Sequence, residues 1–113
     1  MTLYGIPTCQ SVKKAKKFLQ DRGIEHSFVD FKKTPVGCET IDAWLAHVPV
    51  KQLFNARGMK YRTLGLKQLQ LNDAGKREWL CKENLLIKRP VIEHEGKVLV
   101  GFDPQLYSEI FDG

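Results

Sequence analysis

Leu3-Tyr4-Gly5-Ile6-Pro7-Thr8-Cys9 decides how this chain is read. The first four residues form a short apolar run of strand type. Pro7-Thr8 is a turn, and Cys9 opens a periodic segment in which Val12, Ala15 and Leu19 fall on one face. The pattern predicts a strand over residues 2–6 and a helix over residues 10–22, with Gly23 as its C′ residue. A thiol at such a junction meets the positive end of the helix macrodipole and unpaired backbone N–H groups. Both favour the thiolate, which is the nucleophilic form. The alternative is the usual role of a free cysteine, a small buried hydrophobe. Placement alone leaves both roles open.

Outward from this segment, residues 26–31 alternate, with Phe28, Val29 and Phe31 apolar, and predict a second strand. A β-α-β unit of this kind sets its strands parallel. Residues 32–38 form a link containing Pro35 and Gly37. The pattern then turns helical. Ile41, Trp44 and Leu45 predict a helix over residues 40–47, with Thr40 as cap. A short helix is expected at 50–54, a break at 55–58 and a helical turn at 66–71. Asn72 or Asp73 caps a longer helix reaching about Asn84, with Trp79 and Leu80 facing inward. Residues 90–94 and 97–100 are two strands joined by Glu95-Gly96, a hairpin signal. Asp103-Pro104 starts a last helix with Leu106, Tyr107 and Ile110 on one face. No repeat, low-complexity tract or linker interrupts the chain.

At 113 residues and 42% hydrophobic composition, one packed domain with one core is expected. Three cysteines at irregular spacing speak against a disulfide framework. No apolar run approaches the roughly 20 residues that span a bilayer, and no signal-peptide pattern precedes the first strand. The expectation is a cytoplasmic monomer with reduced thiols and no membrane association. The net charge of +5 suits anionic partners. Much of that excess is Lys13, Lys14, Lys16 and Lys17, opposite the apolar stripe, which reads as a solvated helix face. Basic and aromatic residues are not interleaved as in a base-stacking surface. His26, His47 and His94 share no ligand spacing, so no metal site is expected.

Tyr4-Gly5-Ile6-Pro7-Thr8-Cys9-Gln10-Ser11-Val12-Lys13-Lys14-Ala15 resembles the opening of the ArsC/Spx/YffB family. Leu53-Phe54-Asn55-Ala56-Arg57-Gly58, Tyr61, Leu64-Gly65-Leu66, Ile87-Lys88-Arg89-Pro90-Val91 and Gly101-Phe102 fit it too, in the family's order. The last of these fits the YffB-like and Spx-like branches. The resemblance covers essentially the whole chain. It implies an α/β, thioredoxin-like (glutaredoxin-like) mixed sheet with a helical insertion. Residues 1–113 would form a single ArsC-like domain, with 1–35 and 87–113 as its core and about 38–86 as the insertion. It also implies that Cys9 is the redox-active residue, and that Pro90 is a cis proline bringing Arg89 near Cys9. There a cation favours the thiolate and holds an anionic substrate. A surface arginine before an edge-strand proline is the plainer reading of Arg89.

The departures from the family are informative. Val12 stands where two-cysteine relatives carry a resolving thiol, and it cannot resolve a mixed disulfide. Resolution then falls to an external thiol or to a distant cysteine. Cys81 reads as core filling within Trp79-Leu80-Cys81, and Cys38 as a free loop thiol. Arsenate reductases of the family surround one cysteine with three arginines, whose planar groups hold an oxyanion bidentately. Here Arg89 matches one. Asn55 replaces a second, with Arg57 two residues on. None falls near Gly101, so an arsenate site is incomplete.

The function implied is a small thiol-dependent reductase with glutathione as co-substrate, or glutaredoxin as partner. It would act on a small anionic or disulfide substrate. Cys9 and Arg89 are the expected catalytic pair. Arg57, Pro90 and Lys13 join the expected binding site, together with Thr8, Gln10 and Ser11 as N-terminal donors. Two other classes stay open. One is an Spx-like regulator binding RNA polymerase, the other a non-catalytic binding module.

Overall fold

The computed structural model describes Met1–Gly113. Four strands, β1 (Thr2–Gly5), β2 (Ser27–Asp30), β3 (Val91–His94) and β4 (Lys97–Val100), form one sheet in the order β2-β1-β3-β4. β1 and β2 are parallel, with Leu3 opposite Phe28. β1 and β3 are antiparallel, with Tyr4 opposite Val91, as are β3 and β4. The helix α1 (Gln10–Asp21) connects the parallel pair. Its end follows from Gly23 at φ +66°. The Gly23 amide donates to the Gln20 carbonyl and the Ile24 amide to that of Leu19, closing a Schellman motif.

Side chains alternate across the sheet and build two apolar layers. Leu3, Ile92 and Leu99 face α1 and α6 (Pro104–Phe111) in a cluster with Val12, Leu19 and Tyr107. Val91, with Tyr4 and Val98, faces the helices between β2 and β3. These are α2 (Cys38–Leu45), α3 (Val50–Leu53), α4 (Met59–Thr63) and α5 (Asp73–Lys82), with 3₁₀ turns at Leu66–Leu69 and Asn84–Leu86. Trp44, Leu53, Leu80 and Leu86 fill that second layer. The arrangement is the expected thioredoxin-like mixed sheet with a helical insertion.

The insertion is fastened to the sheet by Glu93. The Tyr4 hydroxyl donates to its Oε1 at 2.7 Å and the Trp44 indole N–H to its Oε2 at 2.8 Å. Burial, reinforced by the Glu93 bond, pushes the Tyr4 hydroxyl above its ordinary range. Buried Asn84 makes a second fastening, since its amide accepts from the Val36 N–H and donates to the Val36 and Leu80 carbonyls.

Three expectations are corrected. α2 begins at Cys38 with Gly37 as its N-cap, two residues before the predicted start at Thr40. α4 lies just after the expected break and was not predicted. It buries none of its residues, so no apolar periodicity marked it. Cys38 and Cys81 are neither a free loop thiol and a core filler nor resolvers for Cys9, because they are bonded to each other, with Cα atoms 5.1 Å apart. Packing of α2 on α5 brings them together.

Candidate thiol site

Cys9 is the one free cysteine, partly exposed, at the N-cap of α1. Its amide donates to the Ile6 carbonyl at 3.2 Å, closing the turn that carries the chain from β1 into the helix. No side chain caps α1. The amides of Gln10, Ser11 and Val12 have no carbonyl four residues back within the helix, since the first such bond runs from Lys13 N–H to Cys9 O at 3.0 Å. Cys9 therefore stands at the positive end of α1, next to three amides without helical partners, and its sulfur takes no hydrogen bond from them. Thr8, Gln10 and Lys13 are exposed around it, and Ser11 is half-buried.

Gly5 and Val12 explain how the helix start comes so close to the strand. A Cβ built on Gly5 would stand 2.5 Å from Val12 Cγ2. Val12 is fully buried. Position 12, three residues after the thiol, is used here for packing.

The second half of the site comes from the strand beside β1. The Arg89–Pro90 peptide is cis, and Pro90 is buried. Tyr4 pairs with Val91, so the register continued one step sets Gly5 opposite Pro90 and the next step sets Ile6 opposite Arg89. The Cys9 turn and the Arg89–Pro90 corner thus share one end of the two central strands. At that end Arg89 lines a cavity of about 320 Å³ with Ile6, Lys32, Met59, Lys60 and Leu85, and Cys9 is not among its lining residues. Arg89 Nη1 donates to the Leu85 carbonyl at 3.1 Å, while its buried Nε has no partner in the protein. A buried guanidinium N–H without an acceptor is a cost to the folded protein.

Arg57 is not brought to that cavity. It lines another, with Lys51, Lys76 and Lys88. The cavity cations that sequence reasoning missed are Lys32 and Lys60. Lys60 sits in the unpredicted α4 and is also 3.6 Å from Glu83. Cys38 and Cys81 cannot serve Cys9 as the molecule stands. Cys9 packs with the α1–α6 layer, Cys81 with the insertion layer on the other face.

A family model, that of the ArsC family, matches residues 4–110. The Bacillus subtilis protein YusI, itself uncharacterized, is 34% identical over 96% of both chains. A solved structure named as a YFFB protein superposes with a TM-score of 0.88 at 32% identity, covering 96% of each chain. Some relatives have names that state a role. The global transcriptional regulator Spx of Enterococcus faecalis is 29% identical over 91% of this chain and 80% of its own. An arsenate reductase of Rhizobium meliloti is 24% identical over 81% and 67%.

Proposed function

The chain belongs to the ArsC family, and from that premise we propose that it is a small thiol reductase working with one nucleophilic sulfur, that of Cys9, and with glutathione as the second thiol. The observation that carries this reading is the pairing of one free thiol at an uncapped helix start with buried Val12 in the place of a resolving cysteine. The Cys9 thiolate attacks the glutathione sulfur of a mixed disulfide R–S–S–G. The S–S bond breaks, R–S⁻ leaves and takes up a proton, and Cys9 holds glutathione as a mixed disulfide. A second glutathione thiolate then attacks that glutathione sulfur, releasing Cys9 as thiolate and forming oxidised glutathione. The net change is R–S–S–G plus glutathione to R–SH plus oxidised glutathione, with two electrons moved.

The Arg89 guanidinium binds a carboxylate of the substrate, assisted by Lys32 and Lys60 across the cavity. The first-turn amides of α1 stabilise negative charge on sulfur as it is displaced. In this reading the protein acts in the cytoplasm as a monomer. Arsenate is a poor candidate substrate, because Arg57 faces another cavity and the position near the missing third arginine is Gly101, a residue without a side chain.

A glutathione-coupled disulfide reductase assay on the wild type and Cys9→Ser tests the proposal, with intact mass read before and after oxidised glutathione. Turnover and a single glutathione adduct, both lost in Cys9→Ser, are expected. No turnover and no Cys9-dependent adduct would overturn it. The similarity to Spx favours a second reading, a regulator that binds RNA polymerase. A polymerase pull-down equally strong with wild type and Cys9→Ser, together with no reductase activity, would select that reading.

A further inference from the structure

The cavity that Arg57 lines gathers four cations, one more than the cavity lined by Arg89. Lys51 of α3, Arg57, Lys76 of α5 and Lys88 surround about 400 Å³ of space, with Gln52 and Asn55 as neutral polar lining and no Asp or Glu among the lining residues. The protein's ion pairs engage Lys17, Arg22, Lys60, Arg77 and His94, and none of these four cations. The lysines of α1 differ. They spread over a convex helix face, where Lys17 is paired with Asp21 and Lys16 lies 3.5 Å over the Phe28 ring. Like charges gathered in a concavity focus their field, whereas the same charges on a convex face are screened.

The backbone around this cavity is tied down. Phe54 and Ile87 form an antiparallel bridge, Asn55 N–H donates to the Leu86 carbonyl at 2.8 Å, and Lys88 N–H donates to the Leu53 carbonyl at 2.8 Å. The Lys88 stem crosses Gly101, where an added Cβ would stand 3.2 Å from Lys88 Cε. Lys88 and Arg89 are consecutive, yet they line different cavities, as successive residues of an extended segment do. The two sites therefore stand on either side of one stretch of backbone.

The lining also narrows the occupant. Three lysines and one arginine supply mostly compact point charges, which suit the dispersed oxygens of phosphoryl groups better than planar carboxylates. Phe54 is only 5% exposed, so no aromatic face is available for a base to stack on. We propose that this cavity is a binding site, separate from the thiol site, for a compact polyanion carrying two or more phosphoryl groups.

Inorganic tripolyphosphate is the probe, titrated into the full chain at about 0.15 M salt and followed by calorimetry and by amide chemical shifts. Saturable one-to-one binding is expected, with shifts centred on residues 51–57, 76 and 88. The double variant Lys51→Gln/Lys76→Gln should bind about tenfold more weakly or worse, as loss of two charged partners implies. Lys13→Gln/Lys14→Gln on α1 should change binding by less than about twofold. Lys88→Gln, a single change, checks the result should the first double variant lose its circular dichroism signal. Cys9→Ser should bind like the wild type, so failure of the reductase reading leaves this test intact. Equal weakening in both double variants, or no saturation, would reduce the cavity to general surface charge and overturn the proposal. Citrate bound as tightly as tripolyphosphate would overturn the phosphoryl assignment.

Discussion

Arg89 keeps a buried N–H without a partner, and groups of that kind cost stability in the empty protein. Replacing it should therefore separate stability from activity. Arg89→Met should leave the melting temperature unchanged or raised, while kcat/KM on a glutathione mixed disulfide falls about tenfold to a hundredfold, the range for a lost charge-assisted hydrogen bond. A melting temperature that drops in step with activity would make Arg89 a structural group instead. Gly5 is constrained in the opposite sense. Gly5→Ala drives a methyl into Val12 and should cost about 1–3 kcal/mol by overpacking. Adding Val12→Ala should recover part of that loss, so denaturation of the two single variants and the double variant should give a non-additive cycle. Strict additivity would mean that Gly5 is needed for some reason other than Val12.

At the scale of elements, the starts of α5 and α6 were legible in the sequence. Asp103 before Pro104 predicted the start of α6, and its carboxylate accepts from the Gln105 and Leu106 amides. Asn72 likewise caps α5 by accepting from the Gly75 amide. These signals are local, so a linear reading finds them. Asp103→Ala should cost about 1 kcal/mol, read as a shifted denaturation midpoint with an unchanged slope. An unshifted midpoint would mean that Pro104 and packing suffice to start the helix. What the sequence concealed was either featureless or through-space. α4 leaves Met59 74% exposed and offers no periodic face. The Cys38–Cys81 bond spans 43 positions and depends on α2 lying along α5, where Arg77 also pairs with Asp42. The thiol at Cys9 was legible because a strand, a turn and a helix converge on it within ten residues. The separation of Arg57 from Arg89 was not, because the two lie on different segments whose placement is through-space. Closing a loop of that length should contribute about 4 kcal/mol in the chain-entropy view. Dithiothreitol, or Cys38→Ser with Cys81→Ser, should lower the melting temperature. An unchanged value would mean that the packing of α2 on α5 holds the insertion without the bond.

At the scale of the whole molecule, stability should fall in alkali. Tyr107 is buried, its hydroxyl donating to the Gly101 carbonyl at 2.8 Å, and burial pushes its pKa above the ordinary tyrosine range, as it does for Tyr4. Below the unfolded-state value near 10, both hydroxyls stay protonated in either state and their contribution is complete. Above it the unfolded chain releases protons that the folded chain retains, so stability should fall as pH rises toward the folded values. Urea midpoints should therefore hold up to about pH 9 and drop from about pH 10 upward, and Tyr107→Phe should flatten that decline. An equally steep decline in Tyr107→Phe would assign the sensitivity elsewhere. The bond from the Trp44 indole to Glu93 has a practical consequence. It ties the one fully buried indole, on an insertion helix, to a strand of the sheet, whereas the other indole, Trp79, is only half-buried. With Trp79→Phe the protein would hold a single fluorophore at the seam between insertion and sheet, so the colour of its emission would report, without any label, when the two halves come apart.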